Sequence, residues 1–130
     1  MPRQKIYPII NTQDAIYFAG FFDGEGSILI YGRKSYPSTK GKTLPHNLRI
    51  TVSNTNLPVM QWIHRTFGGQ LQFTGSSLRD GSNRAAAWKW IASCAHAGHI
   101  LKAIAPHLRV KADEAIVALE FQERTSNQLH

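Results

Sequence analysis

Hydrophobic and polar positions repeat with two different periods along this chain, and the switches between them mark out eight elements. Asn11-Thr12 offers an N-cap, and helical spacing then predicts a helix over Gln13 to Asp23. An apolar strand follows from Ser27 to Lys34, and the polar, basic stretch Lys34 to Lys42 reads as a hairpin loop. From Asn47 to Asn54 the period is two: Leu48, Ile50 and Val52 alternate with Asn47, Arg49, Thr51 and Ser53. Leu57-Pro58 opens a second helix, Pro58 to Phe67, closed by Gly68-Gly69. Gln70 to Thr74 alternates again, and a longer strand is predicted from Arg84 to Cys94 after the turn-rich stretch 76–83. Helices over His96 to Ile104 and Lys111 to Arg124 complete the chain. The order α-β-β-α-β-β-α-α predicts one α+β domain over residues 1–130, an antiparallel sheet with its helices on one face.

The junction between the first helix and strand carries the most chemistry. In Phe18-Ala19-Gly20-Phe21-Phe22-Asp23-Gly24-Glu25-Gly26, small residues recur at helical spacing. Ala15 and Ala19 are four apart, as are Gly20 and Gly24, so one stripe of the helix can admit a second backbone. Gly24 and Gly26 bracket Glu25, which suggests a helix end needing unusual backbone freedom. A carboxylate there is placed to share a metal ion with a second carboxylate across the seam.

This nonapeptide resembles the motif of the LAGLIDADG homing endonucleases, with Phe18 at its first position and Glu25 as its final acid. The order of elements follows that family from about Thr12 to Arg124. The resemblance implies a DNA endonuclease in which two motif helices pack together, each presenting its last acid to a divalent metal. One copy of the motif implies a homodimer, with Ala15, Ala19, Gly20, Asp23 and Gly24 at the helix pair. It further implies metal contacts from Glu25 and the Gly24 carbonyl, with Asp23 capping or bracing the helix pair. Asn54 corresponds to a polar residue that holds water near the nucleophile, and Lys111 to a lysine near the scissile phosphate.

Composition narrows the partner. The 130 residues carry a formal net charge of +7, which favours a polyanion because Lys and Arg near phosphates release condensed counterions. No run approaches the roughly 18 apolar residues of a spanning helix, and Met1 to Lys5 lacks the apolar core of a secretory signal. The protein is expected to be intracellular and to bind no membrane. The single cysteine, Cys94, excludes an intrachain disulfide and reads as a small buried hydrophobe. His96 and His99, three apart, lack a third ligand at suggestive spacing for zinc. Trp88 and Trp90 read as core, which turns Lys89 the other way.

The uncovered sheet face is the expected DNA surface. Alternation assigns to it Ser27, Leu29, Tyr31, Arg33 and Ser35, then Asn47, Arg49, Thr51 and Ser53, then Gln70, Gln72 and Thr74. Arg84 and Lys89 join them from the last strand. Arg, Asn and Gln suit base-edge readout in the major groove, and a nine-residue strand spans roughly 30 Å, about nine base steps. Lys34, Lys40 and Lys42 are expected on phosphates.

Double-stranded DNA and a second copy of the chain are therefore the expected partners, with no small-molecule cofactor. Mg2+ is the expected ion, Mn2+ a substitute, and Ca2+ an ion that supports binding without cleavage. Resemblance to the family implies cutting across the minor groove with short 3′ overhangs, in an organellar (chloroplast or mitochondrial) or prokaryotic intron setting. A second reading stays open: a catalytically silent nucleic-acid-binding protein of the same fold, serving as an intron-RNA splicing cofactor or transcription regulator.

Overall fold

The computed structural model describes residues 6–32, 46–75 and 87–128. Two αββ units follow one another and two helices close the chain: α1 (Thr12–Glu25), β1 (Gly26–Gly32), β2 (His46–Asn54), α2 (Leu57–Phe67), β3 (Gln70–Phe73), β4 (Trp88–Ser93), α3 (Cys94–Ile104) and α4 (Ala112–Gln128). A single 3-10 turn, Ala105–His107, joins the last two helices. The strands form one antiparallel sheet in the order β1-β2-β4-β3. The expected α+β order is therefore observed. No helix among the described residues is long and apolar enough to cross a membrane.

Period-two alternation in β2 decides which face is covered. Leu48, Ile50 and Val52 are buried, as are Trp90 and Ala92 on the neighbouring strand, and all four helices pack against that side. Phe18 and Phe22 of α1 are fully buried over them, Phe18 meeting Trp90 edge to face at 5.5 Å between ring centroids. Each such side chain contributes about 1.5–3 kcal/mol on leaving water. The Trp90 indole N–H donates to the Gly68 carbonyl at 2.7 Å, so the largest core side chain leaves its polar atom satisfied.

Caps account for the helix starts. The Asn11 side chain accepts the Asp14 amide at 2.8 Å, and Asn56 accepts that of Val59 at 3.0 Å. Gly68 and Gly69 hold φ values of 77° and 85°, supplying the left-handed turn out of α2 that their sequence position predicts.

The α1–β1 junction departs from expectation. Helix α1 continues through Glu25 rather than ending near Asp23, Gly24 is helical, and Gly26 has an ordinary extended backbone (φ −89°, ψ 165°). Backbone freedom is not what this glycine provides. A Cβ at Gly26 would stand 2.2 Å from the ring of the fully buried Phe22, so the chain turns from helix to strand through space that no side chain can share.

Candidate active site and nucleic-acid interface

Strand register assembles the open face row by row. Ser27 pairs with Thr51, which pairs with Ile91, itself opposite Gln70. Leu29 pairs with Arg49 and Arg49 with Ser93, while Tyr31 pairs with Asn47. Ser53 pairs with Lys89 and Lys89 with Gln72. Because neighbours in register share a face, the described members of the expected DNA surface stand together opposite the helices. Thr74 lies just beyond β3, its hydroxyl donating to the Ala87 carbonyl at 2.8 Å. Arg33, Lys34, Ser35, Lys40, Lys42 and Arg84 lie outside the described residues.

Arg49 is the most constrained cation on this face. Its Nη2 donates to the Tyr31 hydroxyl at 2.8 Å, and its guanidinium carbon sits 4.9 Å from the centre of the same ring. Its Nε is buried without a hydrogen-bond partner among the described residues. Tyr31 thus fixes a guanidinium that still has donors to give.

The acidic site stands at one end of the sheet. Glu25, the last residue of α1, is exposed, and Gly26 pairs with Val52, so Ser53 and Asn54 end β2 close to that helix terminus. Asp23 lies just before it and is spent inside the chain. Its carboxylate accepts the backbone amides of Arg109 at 2.8 Å and Lys111 at 3.0 Å, while Lys111 Nζ donates to the Asp23 carbonyl at 2.7 Å. Burial pushes the Asp23 carboxyl up, but the amides of Arg109, Lys111 and Val110 and the Lys111 charge outweigh it and hold its pKa below the ordinary 3.8. Asp23 therefore seats the chain entering α4, and Lys111 lies against the carbonyl end of α1, where the helix dipole favours a cation.

A folded-state pKa below the unfolded one makes ionised Asp23 stabilising above the unfolded value, with that contribution lost as pH falls through the folded one. Asp23→Asn should therefore be less stable than the parent at pH 7, and the gap should begin to narrow near pH 4 and go on shrinking as pH falls toward the lowered folded value. Urea unfolding from pH 3 to 7 checks this, and two parallel stability curves would contradict it.

Several sequence expectations need correction. Ala15 and Ala19 are buried in the chain's own core at 3% and 0% exposure, so they are not on a seam open to a second helix. The free stripe of α1 is Gln13, Ile16, Tyr17, Gly20 and Gly24, all exposed. Two large apolar side chains, Ile16 and Tyr17, stand exposed on the same stripe as the glycines. Asp23 has the structural role expected of it, seating the chain that enters α4 through the Arg109 and Lys111 amides. Asn54 points to the helix side of the sheet by register, opposite Trp88, and its Oδ1 accepts the Asn56 amide at 2.8 Å in a local turn. Cys94 is exposed rather than buried, with φ 56°, because the corner from β4 into α3 turns its side chain toward Asn47 on the open face. His96 and His99 are engaged within the chain, as their lack of a third ligand suggested: His99 Nε2 bonds the Pro8 carbonyl at 3.0 Å and His96 Nε2 the Phe67 carbonyl at the end of α2 at 2.7 Å.

Glu25 and the carbonyls at the end of α1 are hard oxygen donors suited to a small divalent cation. Among the described residues no group of three or more His, Cys, Asp or Glu forms within one chain.

An open polar sheet, one flank of helices and a carboxylate at a helix end define a nucleic-acid-processing domain. The family model described as LAGLIDADG endonuclease matches residues 18–110. The chain belongs to this family and is a DNA endonuclease. No curated protein sequence gives a significant match. Among solved structures, the homing endonuclease I-CvuI in complex with its target in the presence of 2 mM Ca superposes with a TM-score of 0.69 at 15% identity, over 90% of this chain and 70% of that one. The archaeal intron-encoded homing endonuclease I-Vdi141I complexed with DNA gives 0.68 at 17%, over 91% and 73%. I-SmaMI bound to cleaved DNA gives 0.69 at 18%, over 99% of this chain but 42% of that one.

Proposed function

We propose that this chain works as a homodimer that cuts both strands of a long pseudo-palindromic DNA site in a reaction dependent on a divalent metal. The observation that carries this reading is Glu25 at the end of a helix whose stripe of Ile16, Gly20 and Gly24 is exposed, with Tyr17 beside it half-covered by Trp62 of α2. Pairing two copies of α1 along that stripe brings two Glu25 carboxylates together and completes a donor set that one chain leaves partial. The I-SmaMI chain, of which this one covers 42%, has room for two such units.

Glu25 and the Gly24 carbonyl would hold the ion, Mg2+ or Mn2+, with Ca2+ supporting binding alone. When bound, it would neutralise charge on the scissile phosphate and favour deprotonation of an attacking water. The chain's own residues do the rest. Lys111 presents its ammonium beside the end of α1, where a developing phosphate charge would lie. Asn54 remains the proposed water-holding residue through its amide nitrogen, its oxygen being used in the turn. The open face reads bases, two faces covering about two turns of duplex around the twofold axis. Cleavage across the minor groove would leave short 3′ overhangs, and an organellar or prokaryotic intron is the proposed setting.

Selection of cut sites from a randomised duplex of roughly 20 base pairs, run with Mg2+ and with Ca2+, tests the reading. One pseudo-palindromic site enriched with Mg2+ alone is the expected result. Binding without cutting in both ions would instead support the silent splicing-cofactor or regulator reading.

A further inference from the structure

Beside β3 and β4 the open face deepens into a groove of about 880 Å3 whose far wall does not belong to the sheet. That wall is Tyr7 from the N-terminal segment with Cys94 and His96 from the start of α3, facing Arg49, Gln72 and Lys89. The Tyr7 ring stacks on His96 at 4.7 Å with 2° between planes and meets His99 at 5.4 Å. His99 also bonds the Pro8 carbonyl, and four residues after Tyr7 the segment is tied down again by the Asn11 cap on α1. The wall is thus fixed before any ligand arrives, so little ordering entropy is lost on contact.

We infer that this wall, Tyr7 with the Cys94–His96 corner, belongs to the DNA footprint and contacts the sugar-phosphate backbone running along the β3–β4 side of the sheet. The inference rests on the functional reading above and adds a contact surface off the sheet. Charge selects the occupant. The residues lining the groove include two fixed cations, Arg49 and Lys89, and no carboxylate. A side chain reading base edges stands on the floor of such a groove, whereas a wall meets the strand backbone. A tyrosine hydroxyl is a common phosphate donor there.

Cys94 is the chain's only cysteine and is exposed on this wall, which makes it a native reporter. Its alkylation by N-ethylmaleimide is followed with and without saturating duplex carrying the selected site, complex formation being checked by gel shift in the same buffer. Protection of roughly tenfold or more, reversed by salt that dissociates the complex, is expected. Tyr7→Phe, which keeps the stack and removes the hydroxyl, should weaken binding by a few-fold to about tenfold without moving the cut position. Alkylation at an unchanged rate within a demonstrated complex overturns the inference and leaves the endonuclease reading standing. Absence of any complex overturns both.

Discussion

Glu25→Gln is expected to abolish cleavage, by at least on the order of a thousandfold, while duplex affinity stays within a few-fold of the parent. The residue is exposed at the last position of α1, so its replacement disturbs no packing and loss of activity cannot be charged to unfolding. Glutamine keeps the shape and one oxygen but removes the negative charge that a hard divalent cation requires. The adjacent carboxylate cannot take over, because Asp23 is committed to the amides of Arg109 and Lys111. Single-turnover cleavage and gel-shift binding on one duplex separate the two effects. Retained cutting would remove Glu25 from the ion site.

Gly20→Trp should split the proposed dimer and take double-strand cleavage with it, yet leave the separate chain as stable as before or slightly more so. A Cβ at Gly20 meets nothing within 4 Å, so the free subunit has room for the ring. Replacing a mid-helix glycine also recovers up to about half a kcal/mol of helix propensity. In a helix pair that same space is where the other backbone would lie, and an indole there would hold the two helices apart. Tyr17, one turn away, is held edge-on against Trp62 at 5.3 Å and has little freedom to make way. Sedimentation at micromolar concentration reads the assembly and chemical denaturation reads the subunit. An intact dimer would move the interface off this stripe. Dissociation with loss of subunit stability would show that Gly20 serves the fold instead.

Much of the fold was legible because its determinants are local. Alternation of Leu48, Ile50 and Val52 with Asn47, Arg49, Thr51 and Ser53 can be satisfied only by a strand covered on one side, so the sequence determined both the strand and its faces. Asn11 and the Gly68-Gly69 pair set helix ends through contacts within a few residues, whereas the Asn56 cap on α2 was not read from the sequence.

What the sequence left open were choices between locally equivalent faces and contacts between distant segments. Ala15 with Ala19 and Gly20 with Gly24 have the same helical spacing. Which pair turns inward was decided by Phe18 and Phe22, whose rings fill the space over β2 and β4 and carry the alanines with them. The Asp23 carboxylate meets an amide 86 residues away, and the Pro8 carbonyl meets His99 at a separation of 91. Spacing along a chain specifies backbone periodicity within an element. It cannot say which carboxylate will be spent on a distant amide and which left exposed, because that depends on where the helices come to rest on the sheet.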